Sequence, residues 1–395
     1  MVMVKKLATP LADVFIGMSE DDCVDYHYGG TRLLPPDTTD SEATQTLLYL
    51  MTFESTVKNK LINLALAEGA VEDLSNMLPS GFVESKVSGG RCLIRPVDVI
   101  AYSVLSEAPG SAANEYALRS VLKPLGEELN TLGGRLKLTP DFGRYAGLAD
   151  VLYLYTPHSL GIKCPDGGCG GKASYTATGV KQAIDVLSPQ ASASISLIGS
   201  CGAIGSDVLD SILAQTRFST IAVCDYKYDE DPDTYPVLGT TRHVASEKGR
   251  FAADSLKADV IVACTYGGEL EQSPYWKLRP QSLMMLAHNI ALSYNDKSAK
   301  VINWCDEHNV DLIPGQILTL GGSLTSRLEW FWRVGHPGIE FDKPLAHKVV
   351  SRVTSFLVER VSTYRQQNKL PWFDSMFAII DFDPYSQSGN QIISE

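Results

Sequence analysis

The feature that most constrains the fold is an uninterrupted succession of strand, glycine-rich turn, helix and strand between residues 194 and 225. Residues 194–198 and 219–224 are short apolar runs, and each predicts a buried strand. Between them, the turn Gly199-Ser-Cys-Gly-Ala-Ile-Gly205 leads into residues 206–216, which have the apolar spacing of a helix. Short apolar strands that alternate with helices predict a parallel sheet with helices on both faces.

The glycine-rich turn predicts a dinucleotide site. Glycines at the end of a strand let the backbone turn tightly and approach a pyrophosphate, which then lies at the helix N-terminus. Asp225 ends the second strand, where a carboxylate accepts hydrogen bonds from the adenine-ribose hydroxyls and repels a 2′-phosphate. An ordinary tight turn is the alternative, because Ser200 stands at the first glycine position of the usual spacing. The order of the elements favours the dinucleotide, with NAD rather than NADP as cofactor. The expected cofactor-binding residues of this segment are Gly199, Ser200, Cys201, Gly202, Ala203, Ile204, Gly205, Asp225 and Tyr226.

The rest of the chain divides around this sheet. Further strands are predicted at residues 259–264 and 310–313, and the glycine-rich residues 165–171 are typical of a connection between domains. Residues 1–160 mix helix and strand patterns and include one long predicted helix, residues 44–70. Residues 344–366 predict an amphipathic helix, and residues 384–395 a loose polar tail.

Composition excludes several classes of function. Of the 395 residues 44% are hydrophobic, which excludes disorder as the main state, and no apolar run reaches the length of a membrane-spanning helix. The formal net charge of −12 disfavours nucleic-acid and anionic-membrane partners. No metal site is expected, because Cys164 and Cys169 have no second pair at metal-ligand spacing. Scattered cysteines and the lack of a convincing signal peptide favour a soluble, cytoplasmic protein.

Seven short segments, in order, carry a family resemblance. They are Gly29-Gly-Thr-Arg32, Met51-Thr-Phe53, Gly143-Arg-Tyr145 with Asp150, Thr176-Ala-Thr-Gly-Val180, residues 259–268, the region of Asn289, and residues 314–322. In these segments the chain resembles the leucine/glutamate/phenylalanine/valine dehydrogenase superfamily of NAD(P)-dependent amino-acid dehydrogenases.

The resemblance implies an α/β fold of two domains about a cleft. Residues 1–160 would form the substrate-binding and oligomerisation domain, and residues 174–330 a Rossmann-type NAD-binding domain. Residues 331–395 would supply a C-terminal helix and tail that pack back on the first domain. The nicotinamide would lie in the cleft, and the protein would form at least a homodimer.

The resemblance also implies roles for individual residues. Asp150 corresponds to the catalytic aspartate of the family. Substrate contacts are expected from Gly29, Gly30, Met51 and Thr319. Further cofactor contacts are expected from Thr176, Cys264, Thr265, Tyr266 and Asn289.

The catalytic lysines of the family are replaced. Glu54 stands where one lysine would hold the substrate carboxylate, and Leu66 stands where a second would act as general base. Leu66 cannot accept a proton, and Glu54 would repel a carboxylate, so the sequence favours a substrate with a cationic or hydrogen-bond-donating group. Lys58 lies four residues after Glu54, so it either forms an exposed ion pair or replaces a lost catalytic lysine. The catalytic residues predicted are therefore Asp150, Lys58 and Glu54.

Two functions from different classes remain open. The first is an NAD-dependent oxidoreductase that acts on an atypical amine, imine or keto substrate of low molecular weight, in specialised metabolism. The second is a catalytically reduced relative that binds NAD(H) and serves as a partner or regulatory subunit. A non-redox lyase or condensing activity is a further alternative.

Overall fold

The structure, a computed structural model, describes residues 2–19, 23–107, 111–142, 147–188, 192–289, 291–384 and 392–394. Its strands are β1 Val2–Ala8, β2 Ala12–Ser19, β3 Tyr26–Leu33, β4 Val87–Pro96, β5 Leu136–Pro140, β6 Ala193–Ile198, β7 Phe218–Cys224, β8 Arg242–His243, β9 Val260–Ala263, β10 Leu283–Leu286, β11 Asp311–Ile313 and β12 Ile392–Ser394. Its α-helices are α1 Asp40–Leu50, α2 Val57–Ala67, α3 Val99–Ser106, α4 Ala112–Thr131, α5 Leu148–Tyr153, α6 Ala173–Leu187, α7 Ala203–Leu213, α8 Tyr226–Glu230, α9 Asp296–Glu307, α10 Gly315–Leu318, α11 Gly321–Gly335, α12 Lys343–Asn368 and α13 Trp372–Ile379.

The chain forms two compact units. The first unit comprises Met1–Lys172, Ser323–Ala346 and Tyr385–Glu395, and the second comprises Ala173–Gly322 and His347–Pro384. Each unit contains one sheet of six strands. The predicted fold class, two α/β units of which one is of Rossmann type, is confirmed.

The second unit is built on a parallel sheet in the order β11-β10-β9-β6-β7-β8. From β6 the chain proceeds to β7 and β8 on one side, and then returns to place β9, β10 and β11 on the other. This is the strand order of a doubly wound dinucleotide-binding sheet. Its order reverses between β6 and β9, and ligands of such sheets bind at the carboxyl ends of the strands at that point.

The first unit has a mixed sheet in the order β12-β1-β2-β4-β3-β5. The pairs β1–β2 and β2–β4 are antiparallel, whereas β3 pairs in parallel with both β4 and β5. Leu122 and Leu125 of α4 pack in one core cluster with Val14 of β2 and Ile94 of β4, all fully buried. This burial places α4 on one face of the sheet, whereas α1 lies on the other face, which Gly17 of β2 presents to Leu47.

The predicted long helix at residues 44–70 is divided by a π-helical turn. α1 ends at Leu50, Met51–Thr56 forms a π-helix, and α2 begins at Val57. A Cβ on Gly89 of β4 would overlap Thr56 Oγ1 and lie 3.0 Å from the Met51 carbonyl oxygen. The missing side chain therefore lets the π-helix lie directly on the sheet. π-helical turns inside α-helices are rare and are frequent at functional sites.

The C-terminal segment differs from the prediction. Only Ser323–Ala346 belongs to the first unit, whereas most of α12 packs in the second. The His347 ring lies 2.8 Å from Thr178 Oγ1 of α6, and Ser351 Oγ donates to Gln182 Oε1 of α6 at 2.5 Å. These contacts, with buried Val349 and Val350 beside them, attach α12 to α6 rather than to the first unit.

The predicted loose tail contains a strand. Residues 392–394, which include two isoleucines, form β12, which pairs in parallel with β1 and is the edge strand of the sheet. Residues 385–391 and Glu395 lie outside the described residues. The polar composition of this segment hid the apolar pair that extends the sheet.

Candidate functional site

Two glycines create a backbone crevice at the point where the strand order of the second unit reverses. Gly199 follows β6 with a φ of +78°, and a Cβ there would lie 2.5 Å from the carbonyl oxygen of Cys264, which follows β9. A Cβ on Gly205 would overlap the Gly199 carbonyl oxygen. Only glycine fits both positions without displacement of the backbone. The crevice therefore has the close backbone approach that a pyrophosphate requires.

The N-terminus of α7 opens into the same turn. Gly202 is the N-cap residue and provides no side-chain cap for the N–H groups of Ala203, Ile204 and Gly205. The first-turn N–H groups of a helix lack intrahelical acceptors and carry the positive end of the helix dipole, so they bind phosphate oxygens well. The glycine turn and the helix start together fit the pyrophosphate of a dinucleotide.

Asp225 lies next to this turn, as the sequence predicts. Its side chain is only 7% exposed, and it accepts hydrogen bonds from Cys201 N at 2.9 Å and Lys227 N at 3.0 Å. Ser200 contributes a hydroxyl that donates to Tyr228 Oη at 3.2 Å. Tyr226 is exposed beside them. The Asp225 and Tyr228 side chains that follow β7 are thus tied by hydrogen bonds to the glycine turn that follows β6.

Asn289, Thr319 and Thr176 also belong to the second unit, where Asn289 follows β10, Thr319 follows α10 and Thr176 lies in α6. Thr319 Oγ1 donates to Asn289 Oδ1 at 2.7 Å. A Cβ on Gly321 would lie next to the Tyr175 carbonyl oxygen and the Thr176 N atom, so the same segment reaches α6. Thr319, which was predicted to bind substrate, therefore lies with Asn289 and close to Thr176.

The turn after β9 holds the last predicted cofactor residues. Cys264 is half-buried, and burial raises the pKa of its thiol to about 12. Thr265 Oγ1 donates to Glu269 Oε2, and Tyr266 is 82% exposed. The Cys264 thiol is therefore protonated at neutral pH, and it is the backbone carbonyl of this residue that faces Gly199. Tyr266 is the side chain of this turn that is most accessible to solvent.

A buried charge cluster lies in the first unit, around the π-helix. Glu54 is 7% exposed, and its Oε2 atom lies 3.1 Å from Arg91 Nη1 and 3.6 Å from Arg32 Nη2. A Cβ on Gly30 would lie 3.3 Å from Arg91 Nη1, so this glycine makes room for the guanidinium. The charge of Glu54 is therefore compensated inside the protein. The predicted preference for a cationic substrate group fails, because that preference requires Glu54 to be without a partner cation.

Lys58 is buried in this cluster. Only 3% of the residue is exposed, so the prediction of an exposed ion pair with Glu54 is wrong. Burial lowers the pKa of Lys58 to about 7; Glu54 opposes this shift, whereas Arg91, Arg32 and Lys172 add to it. Lys58 is therefore an amine that gains and loses a proton near neutral pH, as a catalytic base must.

Lys172 is a residue of this cluster that the sequence analysis missed. Its Nζ atom donates to Tyr28 Oη at 2.8 Å and to Thr139 Oγ1 at 2.5 Å, and Tyr28 Oη donates to Ser326 Oγ at 2.9 Å. Burial disfavours the charged form of Lys172, but Tyr28 and Cys169 outweigh burial and raise its pKa. Lys172 thus stays charged where Lys58 does not, and environments that separate the pKa values of two groups are typical of acid–base sites.

Arg32 and Arg91 were also missed as site residues. Arg32 belongs to the glycine motif that carried the resemblance, and Arg91 is a charge inside the apolar run of β4. A charged residue in a buried strand requires a partner, and this is the signal that could have identified Arg91. Lys172 offered a weaker signal, since it follows a glycine-rich loop.

The other predicted first-unit residues have structural contacts. A Cβ on Gly29 would overlap the Gly90 carbonyl oxygen, so this glycine allows two strands to approach each other. Met51 is buried in the core, and Leu66 is likewise buried. Asp150 is half-buried and accepts a hydrogen bond from Lys163 N at 3.0 Å. The motif at residues 143–145 lies outside the described residues.

The described residues contain neither a cluster that could ligate a metal ion nor a helix that could span a membrane. Across the described ranges, no three His, Cys, Asp or Glu side chains are grouped closely enough to hold a metal ion. In the same part of the chain, no helix has the length and apolar character needed to cross a membrane.

Comparison with known proteins gives a likeness in structure alone. No protein-family model and no curated protein sequence matches the chain. L-tryptophan dehydrogenase from Nostoc punctiforme matches in structure with a TM-score of 0.63 and 15% sequence identity, over 98% of this chain and 96% of that one. The hetero-hexameric glutamate dehydrogenase from Thermus thermophilus, in its leucine-bound form, matches with a TM-score of 0.63 and 15% sequence identity, over 98% of this chain and 87% of that one. Plasmodium falciparum glutamate dehydrogenase matches with a TM-score of 0.63 and 12% sequence identity, over 99% of this chain and 84% of that one.

These matches define the class of fold. Identities of 12% to 15% over nearly the whole chain show a shared fold and carry no statement about substrate. The chain has the fold of the amino-acid dehydrogenases, with a Rossmann-type second unit.

Proposed function

We propose that the protein is a nicotinamide-dinucleotide-dependent oxidoreductase that acts on the amine, imine or keto group of a small anionic substrate. The observation that carries this proposal is Lys58, an amine with a pKa of about 7 buried beside Glu54 and Arg91. The dinucleotide crevice of the second unit supports it. A bound nicotinamide would supply the hydride that is exchanged with the substrate carbon.

Residues of the second unit would bind the cofactor. The backbone at Gly199 and the first-turn N–H groups of α7 fit the pyrophosphate. Asp225 has acceptor capacity beyond its two backbone hydrogen bonds, because each carboxylate oxygen has two lone pairs, so it can also accept from ribose hydroxyls. These contacts suit NAD(H).

The charge cluster of the first unit favours an anionic substrate. Lys58 lies in the field of one carboxylate, Glu54, and three cations, Arg32, Arg91 and Lys172. This excess of positive charge is concentrated in a chain whose formal net charge is −12. Arg91 is buried against Glu54, whereas the side chain of Arg32 is 37% exposed. A guanidinium at the edge of such a cluster can bind a carboxylate through two parallel hydrogen bonds.

Lys58 would act as the proton-transfer group. Near neutral pH its neutral amine can take a proton from water or from a substrate ammonium group. It would thereby replace the lysine whose place is taken by Leu66. Lys172 would keep its charge and hold the hydroxyls of Tyr28 and Thr139 in place. The catalytic role of Asp150 and the formation of a homo-oligomer stay predictions.

The role of Arg32 can be tested with a set of 2-oxo acids, assayed with NADH and ammonium. A hydrogen bond to a charged group contributes about 1.5 to 3 kcal/mol, so Arg32→Met is expected to raise KM for the oxo acids by about tenfold or more. Arg32→Lys should recover part of this loss, and kcat should change less than KM. For the matching 2-oxo amides, which lack the carboxylate, KM should be the same in the wild type and in both variants.

An unchanged KM in Arg32→Met would contradict the proposed substrate contact. Tight NADH binding without turnover of any substrate by the wild type would instead support the reduced, NAD(H)-binding relative.

A further inference from the structure

Lys227 is a cation at the edge of the dinucleotide crevice to which the proposed function gives no role. It is the second residue of α8, and its Nζ atom donates to the carbonyl oxygen of Cys201 in the glycine turn at 3.3 Å. The ring of Tyr235 lies 4.7 Å away on another side. The ammonium group is thus held where the glycine turn and the end of β7 meet.

The charge of Lys227 is maintained there. Its slight burial works against the ammonium form, but the hydrogen bond with Tyr235 and the charge of that side chain outweigh burial and raise its pKa. The side chain is partly accessible to solvent. A ligand at this edge of the crevice therefore meets a positive charge at neutral pH.

Asp225 is less repulsive than its position in the sequence suggests. One carboxylate oxygen accepts from Cys201 N and the other from Lys227 N. The two backbone N–H groups stabilise its charge, and the positive charge of Lys227 lies within electrostatic range of it. Asp225 can still accept a hydrogen bond from a ribose hydroxyl, while a phosphate beside it also meets the ammonium group of Lys227.

The acidic residues that follow have other contacts. Asp229 accepts from Ser246 N at 2.8 Å and from Ser246 Oγ at 2.6 Å, and its other oxygen lies 3.0 Å from His243 Nε2. Asp231 accepts from Thr234 N at 3.3 Å. Glu230 is exposed to water, where salt screens its field. Lys227, by contrast, is a cation that contacts the glycine turn directly.

From this geometry we infer that Lys227 binds the 2′-phosphate of NADP(H), so that the crevice accepts both NAD(H) and NADP(H). The 2′-phosphate is attached to the ribose that Asp225 would contact, and a lysine can bind phosphate as a point charge. The inference rests on the proposed dinucleotide site. It replaces the preference for NAD alone that Asp225 predicts from the sequence.

Equilibrium titrations with NADH and NADPH, followed through nicotinamide fluorescence, test this inference without turnover. Calorimetry with 2′,5′-ADP and with ADP isolates the 2′-phosphate from the nicotinamide. We expect the wild-type affinities for NADH and NADPH to agree within about tenfold. Lys227→Gln should weaken the binding of NADPH and 2′,5′-ADP by about tenfold or more. The affinities for NADH and ADP should stay within about twofold of the wild-type values. Added salt should weaken the binding of NADPH more than the binding of NADH.

Two variants complete the experiment. Lys227→Arg should restore NADPH binding because it keeps the charge. Lys257→Gln removes another half-exposed lysine of the second unit, one that pairs with Asp254 at 2.5 Å, and should change neither affinity.

The inference would be overturned if the wild type bound NADPH about a hundredfold or more weakly than NADH, or if Lys227→Gln changed both affinities equally or neither. Selective loss of NADPH in a protein that catalyses no hydride transfer would support Lys227 and contradict the proposed function. Binding of neither nucleotide would overturn both.

Discussion

Replacement of Lys58 by methionine is expected to lower kcat/KM for the oxidoreductase reaction by about a thousandfold and to leave the protein folded. General acid–base groups contribute about 10²- to 10⁴-fold to a rate. Glu54 keeps Arg91 as its ion-pair partner when Lys58 is replaced, and the desolvation cost of the Lys58 ammonium and its repulsion by Arg91, Arg32 and Lys172 are removed, so an apolar side chain of similar length should not unfold the protein. Steady-state kinetics and thermal unfolding of the same preparation measure the two effects separately.

The pH dependence gives the second signature of Lys58. Since the neutral amine is the base, wild-type activity should rise with pH through about 7, the pKa to which burial lowers this group. A lowered pKa also means that the unfolded chain binds more protons than the native one between about pH 7 and the ordinary lysine pKa of 10.5. Wild-type stability relative to Lys58→Met should therefore increase with pH across that window.

Lys60→Met is the matched control for Lys58, because it removes a lysine from the same helix two residues further on. This variant should keep the activity and the pH profile. Full activity in Lys58→Met, or a wild-type rate that does not change between pH 6 and pH 8, would contradict the assignment of Lys58 as the base.

The second large effect is expected from Gly199→Ala, which should abolish dinucleotide binding. The backbone there has a φ of +78°, a conformation that costs an L-residue about 1 to 2 kcal/mol. The added Cβ would also lie 2.5 Å from the Cys264 carbonyl oxygen, so β6 and β9 must separate or the turn must move. We expect a fall of several degrees in melting temperature together with the loss of NADH binding.

Gly239→Ala is the matched control for Gly199. Gly239 belongs to the same unit, and a Cβ there would have no atom within 4 Å and no positive φ to oppose it. The Gly239→Ala variant should bind NADH with the wild-type affinity and have the wild-type melting temperature. If Gly199→Ala bound NADH as well as this control does, the crevice at Gly199 would not be the dinucleotide site.

The sequence predicted the half of the Rossmann-type sheet that is determined locally. The strand that ends at Ile198, the glycine turn and the strand that ends at Cys224 form one continuous stretch, and each carries its own apolar pattern and turn chemistry. β8 was not predicted, because it has two residues. β10 was not predicted either, because the run Leu-Met-Met-Leu does not distinguish a short strand from a helix.

The charge cluster could not be predicted, because it depends on contacts between distant segments. Glu54 and Lys58 have the spacing of an exposed helical ion pair, and the sequence does not reveal that a π-helix lies on Gly89 and buries them. Arg91, which compensates Glu54, lies on a different element 37 residues further along the chain. The sequence therefore identified which residues are unusual at this site, but it misjudged their burial and their ion pairs.

The packing partner of α12 could not be predicted for the same reason, since it too depends on contacts between distant segments. Its apolar stripe was evident, but a stripe does not specify the surface that it covers. The polar contacts of Ser351 with Gln182, and of His347 with Thr178, determine that this surface is α6.

A titration of the purified protein with NADH, followed through nicotinamide fluorescence, tests the central claim most directly, because every proposed step requires the dinucleotide. Saturable binding that is weakened by Asp225→Ala is the predicted result. Failure of the correctly folded wild type to bind either NADH or NADPH would contradict the claim that the second unit is a dinucleotide site, and with it the proposed oxidoreductase activity.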